Sequence, residues 1–418
     1  MNIDLPAGVR TFSRAETFEI KQIIKKINNV FEQWAYEEIK LPFFEYLSVH
    51  SRGLDEEITG KSFKIVDRSS GEILSLRADF TAQIARYYSS LKNKELPKRY
   101  YYTGTIFRYS PPKGDNLWEK VQTGIELIGS RSLEADAEVI AVASQSLKTL
   151  DIKNFQIDIN NTRIFSTLKE LLQITEEEYS AFMEYVKNRE IYNLKRFISK
   201  KNIGGSLKDF IIELPKLQGN ISLINYLTDK YSIKGITEIF NQLNQIYSIL
   251  KEYELSEQIV FDLGEPKEIS YYTGIVFEIF IKDFKKPIGH GGRYDNLISK
   301  YDGDVPATGF AFDVLSMWEY LRNSNLIREK NYKDFFIIDI TPDKKLAYRL
   351  GKHLREKGYK VGRDIINRDF KESLRFAFNN RYKKVIVIGL DSTEKSIYIY
   401  STEENFERKS IQEFLKEV

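Results

Sequence analysis

The 418-residue sequence predicts an α+β fold: an antiparallel sheet flanked by helices, a helical insertion, and a small α/β domain at the end of the chain. Three observations predict it. Strand-like runs at 99–109 and 121–129 follow one another with only a loop between them, the order of an antiparallel sheet and not of βαβ units. From about 163 to 250 the chain becomes rich in Lys, Glu, Leu and Ile and reads as mostly helical. After a polar segment at 322–333 the pattern changes to a short alternation of strands and helices.

The first element is a long helix. Ser13 and Glu16 fit the S-x-x-E pattern of a capping box, which satisfies free amides of the first turn. Apolar residues recur at Ile20, Ile23, Ile24, Ile27, Val30, Phe31 and Trp34, the period of one buried helical face. Pro42 is expected to end this helix and open an extended segment, LPFFEYL, at 41–47. Residues 63–76 read as a hairpin in which FKIV (63–66) and EILSL (72–76) flank a Ser-Ser-Gly turn at 69–71. A short helix follows from about Asp79 to Leu91. Pro97 precedes the strand RYYYTGTIFRY (99–109), and a loop with Pro111, Pro112 and Gly114 leads to VQTGIELIG (121–129).

An Ala-rich amphipathic helix spans 132–150, and a strand lies near 154–159. The insertion at about 163–250 is interrupted by Gly204-Gly205 and Pro215. Strands return at 257–263 and 271–281, a glycine cluster sits at 289–292, and a helix covers about 313–323. The polar RNSNLIREKNYK (322–333) reads as a linker, which divides the chain into domains at 1–325 and 333–418. In the second domain FFIIDI (335–340), KKVIVIG (383–389) and SIYIY (396–400) are strands. A helix at 343–357 ends near Gly358.

Composition sets outer bounds on function. Hydrophobic residues at 42% and charged residues at 29% are the balance of a soluble globular protein with a sizeable core. A net charge of +3 excludes a chain-wide polyelectrolyte but not a local basic groove. The absence of cysteine excludes disulfides, thiolate nucleophiles and zinc ribbons. His50, His290 and His353 lie too far apart in sequence for a metal-ligand spacing, so no metal site is expected. MNIDLPAGVRTF lacks the pattern of a signal peptide, and no apolar run approaches a membrane span. A cytoplasmic protein without membrane contact is the expectation.

Strand alternation decides which side chains face a pocket. In VQTGIELIG, Val121, Thr123, Ile125 and Leu127 share one face, and Gln122, Gly124 and Glu126 the other. The preceding strand groups Tyr102, Gly104, Ile106 and Arg108. YYTGIVFE (271–278) groups Tyr272, Gly274, Val276 and Glu278. A glycine in mid-strand costs stability unless a ligand or another backbone comes close. A sheet lined by Arg108, Gln122, Glu126 and Tyr272 could hold a small zwitterion, its carboxylate on Arg or amide donors and its ammonium on acidic groups. The alternative is a solvated sheet face with scattered charges. The repeated layout over three strands favours the ligand floor.

IGHGGRYD (288–295) is a second candidate, because its glycines permit close approach of backbone amides to an anion. It matches neither a Walker A loop nor G-x-G-x-x-G. The local pattern favours a hairpin turn, with His290 a turn residue rather than a ligand. His50 and His353 carry no signal.

Taken together, the strings LPAGVR (5–10), LPFFE (41–45), LRADFTAQIAR (76–86), YYTGTIFRY (101–109), QTGIELIGS (122–130), ADAEVIAVA (135–143), YYTGIVFE (271–278), GGRYDNLI (291–298) and PATGFAF (306–312) resemble the histidyl-tRNA synthetase family of class II synthetases. They are ordered as in that family and cover about 5–150 and 257–320. Within it the chain looks most like the non-catalytic branch, the ATP phosphoribosyltransferase regulatory subunits. Residues 335–418 resemble the anticodon-binding type of domain. The resemblance implies a class II synthetase-like sheet and a histidine pocket. Asp79, Thr81, Gln122, Glu126, Tyr271 and Tyr272 fall at the pocket positions, with Asp79 and Glu126 as acceptors. Arg108 falls on the motif 2 arginine, and Lys267 at the place of the arginine that assists adenylation.

The activation side departs from the synthetase pattern. Ser110 and Pro111 stand where an acidic and a basic residue are expected, Trp118 where the motif 2 loop has an arginine, and Leu315 and Ser316 at the Glu-Arg pair of motif 3. Forming an acyl-adenylate places charge on phosphorus that fixed donors must stabilise, and losing one such donor typically costs about 10²–10³ in rate. Lys267 keeps a charge but not the planar fork of a guanidinium. The resemblance therefore implies a regulatory subunit with no catalytic residue and no cofactor of its own. Its expected partner is a short-form ATP phosphoribosyltransferase catalytic subunit. That complex condenses ATP with phosphoribosyl pyrophosphate in the first step of histidine synthesis. Histidine would be the feedback effector, and a homodimeric core, with LPFFE and the helix before it at its interface, would sit inside a hetero-oligomer. tRNA is not an expected partner. Two alternatives remain: a divergent histidyl-tRNA synthetase, and a binding module without a catalytic partner. The C-terminal domain mildly favours the synthetase.

Overall fold

The computed structural model describes residues 4–111, 117–266, 271–327, 332–366, 368–391 and 396–418. The chain divides into two compact units, Met1–Ile327 and Arg328–Val418. The Pro112–Gly114 loop expected before the second long strand lies outside the described residues, as does Lys267.

In chain order the first unit begins with β1 (Glu37–Glu38), β2 (Phe44–Tyr46), β3 (Lys64–Val66) and β4 (Ile73–Leu76). It continues with β5 (Lys98–Phe107), β6 (Glu119–Ile128), β7 (Phe155–Asn161) and β8 (Gln218–Gly219). It closes with β9 (Ile259–Asp262), β10 (Ile275–Ile281), β11 (Gly289–Arg293) and β12 (Ala307–Asp313). Nine of these strands form one sheet in the order β1-β5-β6-β12-β11-β10-β7-β9-β8, and β2-β4-β3 form a small one.

The large sheet is mixed, not purely antiparallel as the sequence suggested. Its middle from β5 to β7 pairs antiparallel, but β1 on β5 and β9 on β7 are parallel. Parallel neighbours need a long crossover, and both have one. The helical insertion connects β7 to β9, and residues 39–97 connect β1 to β5.

The first helix, Arg14–Gln33, is capped as expected, with both halves of the Ser13–Glu16 box formed. Its face of Ile20, Ile23, Ile27, Val30 and Phe31 is buried. It ends at Gln33, well before Pro42, because Ala35 adopts a left-handed φ of 59° and the amide of Tyr36 bonds back to the Phe31 carbonyl. The segment 41–47 is extended only at β2, and a helical turn, Leu47–His50, follows. The hairpin at 63–76 forms as β3 and β4.

Helices Arg14–Gln33 and Leu133–Thr149 cover the sheet face that carries Ile125 and Leu127. The insertion does not form a core of its own. Phe182, Phe210 and Phe240 belong to the same apolar cluster as those helices. Helices also reach the opposite face: Phe80–Ser90 packs there against Tyr100, Tyr102 and Ile106. No helix among the described residues is long and apolar enough to cross a membrane.

IGHGGRYD is not a turn. Gly289–Arg293 is an interior strand between β10 and β12. Its glycines serve packing: a Cβ at Gly291 would stand 2.5 Å from the Gly309 carbonyl oxygen and 2.6 Å from the Phe277 ring. The run at 271–281 becomes a strand only from Ile275, so Tyr271 and Tyr272 precede it.

The second unit is a five-stranded sheet ordered β14-β13-β15-β16-β17, with β13 (Lys333–Asp339), β14 (Val361–Arg363), β15 (Tyr382–Ile388), β16 (Ser396–Tyr400) and β17 (Phe406–Ser410). Strand β13 pairs parallel with β14 and β15. Helix Lys345–Glu356 matches the expectation, whereas β14, β17 and the helices Phe370–Asn379 and Ile411–Glu417 add to it.

Candidate functional site

The free face of the large sheet forms a cleft. Asp79 is the N-cap of helix Phe80–Ser90, in extended geometry, and its side chain accepts from the amide of Ala82 at 3.2 Å. This cap needs a short acceptor side chain, and it holds Asp79 and Thr81 over the strands. Thr81 Oγ1 donates to Glu126 Oε1 at 2.8 Å, and the Tyr294 hydroxyl donates to Glu126 Oε2.

Glu126 is fully buried on β6, and the register explains how it fits. It lies opposite Gly309, where a Cβ would come within 1.8 Å of Glu126 Oε2. Only glycine leaves room for the carboxyl. Gly124 is bare for a similar reason: a Cβ there would stand 2.8 Å from the Tyr102 hydroxyl and 2.2 Å from the Phe310 carbonyl. The mid-strand glycines thus accommodate the protein's own polar groups at the floor.

Asp79, Thr81, Gln122, Glu126, Tyr271 and Tyr272 line this one narrow cleft. Arg108 stands at its outer end, where its Nη2 donates to Asp79 Oδ2 at 3.2 Å and its Nε to the Ala78 carbonyl at 2.7 Å. The sequence reading missed Tyr102, His290 and Tyr294, which also line the cleft. Alternation had put Tyr102 on the face of Arg108. Tyr294 carries no local signal, and His290 was masked by its glycines.

Burial governs the electrostatics. It pushes the Glu126 carboxyl up to about 8, against the lowering effect of the hydroxyls of Tyr294 and Thr81. Burial also raises Tyr102, Tyr271, Tyr272 and Tyr294, so all four phenols stay protonated. Burial, then the nearby Arg108 charge, lowers His290 below its ordinary value and keeps the ring neutral at pH 7. The cleft therefore offers two carboxyls, an amide and several phenolic hydroxyls between aromatic walls. That suits a small amino acid with an ammonium and a ring N–H to satisfy.

An outer cavity adjoins it. Asp79, Tyr271 and His290 line both, and Arg108, Ser110, Lys61 and Lys120 line the outer one. Nearby, Trp118 is packed into an aromatic cluster with Phe63 and Tyr109, ring centroids 5.4 and 5.6 Å away. Its indole Nε1 donates to the Ser110 carbonyl at 2.8 Å, and Gly8 lies against its ring. Leu315 and Ser316 open helix Val314–Asn323, where Asp313 Oδ1 accepts from both their amides at 3.0 and 3.1 Å.

Residues 8–317 match the family model of histidyl-tRNA synthetase. The chain is 35% identical to an ATP phosphoribosyltransferase regulatory subunit of Aquifex aeolicus, over 99% of each chain. It is 33% identical to one of Thermoanaerobacter pseudethanolicus, again over 99% of each. A solved structure from Bacillus halodurans, described as an ATP phosphoribosyltransferase regulatory subunit/histidyl-tRNA synthetase, superposes with a TM-score of 0.79 at 25% identity, covering 92% of this chain and 98% of that one.

Proposed function

The chain belongs to the histidyl-tRNA synthetase family, in its branch of ATP phosphoribosyltransferase regulatory subunits, and from that membership we propose that it is a cytoplasmic, non-catalytic regulator whose cleft binds L-histidine. Bound histidine acts as feedback inhibitor of a complex with a short-form catalytic subunit. The observation that carries this reading is the division of the site. The inner cleft keeps acceptors for an ammonium and a ring N–H in Asp79 and Glu126, with Thr81, Gln122, Tyr271 and Tyr272 around them. The outer side has Trp118 packed among aromatic rings, and Leu315 and Ser316 where an adenylating relative would hold charges. An inner cleft that keeps its carboxyls, beside an outer side that keeps Arg108, Lys61 and Lys120 but has Trp118, Leu315 and Ser316 at three of the positions expected to be charged, supports sensing rather than activation.

Regulation requires that histidine bind one state of the complex more tightly than the other. A homodimeric core is part of the proposal. The face of the small sheet that carries Phe44, Tyr46 and Ile65 is 44–49% exposed at these residues, an apolar surface suited to a second copy.

One observation favours the divergent synthetase: Arg108 stands at the cleft mouth, where it could meet both a carboxylate and an α-phosphate. Histidine-dependent ATP–pyrophosphate exchange separates the two readings. The proposal expects histidine binding by calorimetry, no exchange above background, and histidine-sensitive activity when the chain is combined with a short-form catalytic subunit. Exchange at the level of a control synthetase overturns it.

A further inference from the structure

The floor of the cleft is a row of aligned positions across five strands: Tyr102, Gly124, Ala311, His290 and Glu278. Gly124 and Ala311 carry no side chain beyond Cβ; the Tyr102 hydroxyl lies over Gly124, and the His290 ring is the next large side chain along the row. Of this row, His290 borders both the inner cleft and the outer cavity. What acts on its ring is burial and neighbouring charge, from Arg108 first and then Asp79, Glu278 and Asp313.

A bound amino acid presents two sets of needs. Its ammonium and ring N–H require acceptors, which Asp79 and Glu126 supply inside the cleft. Its carboxylate requires donors. Arg108 is partly committed, since its Nε is bonded to the Ala78 carbonyl and its Nη2 to Asp79. The imidazole N–H of His290 is a second donor at this same end. A neutral ring always carries one N–H, so it can donate without adding a second buried positive charge beside Arg108.

We propose that His290 closes the amino-acid cleft at its outer end and donates a hydrogen bond to the α-carboxylate of the bound amino acid, as a specificity-determining residue. The proposal rests on the reading of the cleft as an amino-acid site and adds to it which chemical group is selected. It also accounts for an imidazole where a smaller side chain would suffice for the strand. His290 shares its place on the border of the inner cleft and the outer cavity with Asp79 and Tyr271, and is the one imidazole among them.

Calorimetry on the full chain tests it, with L-histidine and with L-histidinol, which lacks the carboxylate, at pH 8. His290→Ala is expected to weaken histidine about tenfold, the usual worth of one hydrogen bond to a charged group. Histidinol affinity is expected to change by no more than about twofold on the same ground. His290→Asn keeps an N–H donor and is expected to recover part of the histidine affinity; it also serves if the alanine variant misfolds. Equal losses for the two ligands, or unchanged histidine affinity, overturn the proposal while leaving the amino-acid site intact. Failure of the unaltered protein to bind histidine overturns both.

Discussion

At the scale of a residue, Glu126 ties the stability of the fold to pH. Its carboxyl is held at about 8 in the fold by burial, against an ordinary 4.5. Between those values the folded protein keeps a proton that the unfolded chain has released. The unfolded state then binds fewer protons, so stability falls as pH rises through this window and levels off above about 8. Glu126→Gln removes the titration while keeping the size. The variant is expected to melt a few degrees higher than the unaltered protein at pH 8 and at the same temperature at pH 4. Thermal melts across that range check the sign, and a variant less stable at pH 8 would contradict it. On the proposed reading, histidine affinity should fall about tenfold at pH 8, because the amide keeps one acceptor oxygen but cannot carry the negative charge that a bound ammonium favours on the carboxyl. If the cleft binds histidine as proposed, this carboxyl trades stability of the unliganded protein for recognition, a common trade at functional sites.

At the scale of an element, the small sheet β2-β4-β3 has two unlike faces. Glu45 and Ser75 point inward, where Glu45 meets Arg86 at 2.6 Å and Ser75 meets the buried His50 at 2.9 Å. Phe44, Tyr46, Leu74 and Ile65 share the other face. The double substitution Tyr46→Glu and Ile65→Lys places charge on this surface without touching the inward face. If the proposed homodimer forms through this face, the double substitution is expected to shift the full chain from dimer to monomer in sedimentation, with the proposed histidine binding unchanged in calorimetry. A dimer that persists would move the interface elsewhere. This alternation was readable from the sequence, as it was for β6, because a period of two needs no knowledge of partners. The ends of elements were less readable. Nothing local in WAYEEIKLP says that Ala35 takes a left-handed turn before Pro42 is reached. His290 was misread because glycines that admit close strand packing look, in one dimension, like glycines that make a turn.

At the scale of the whole molecule, the sequence conveyed the order of the elements better than their pairing. Asp79, Thr81, Gln122, Glu126, Tyr271 and Tyr272 come from three separated segments, and the sheet order that joins them is a long-range fact. The parallel pairing of β7 with β9 across the insertion is another. The polar stretch at 322–333, by contrast, is a compositional signal and lies where the chain divides. Among the described residues, the clusters around Phe31 and Tyr102 draw on residues up to Ile327, and those around Phe335 and Phe336 on residues after it. Every described residue that lines the cleft belongs to the first unit. A fragment of residues 1–327 is therefore expected to unfold cooperatively and to bind histidine within about twofold of the full chain, since it retains the core and the whole set of polar contacts. Calorimetry beside a thermal melt decides it. A folded fragment whose affinity drops more than about tenfold, the worth of a contact to a charged group, would make the C-terminal unit a contributor to the ligand site. Equal affinity would leave that unit free to act on the partner rather than on the ligand, and the place to look for its effect is then the histidine response of the reconstituted complex.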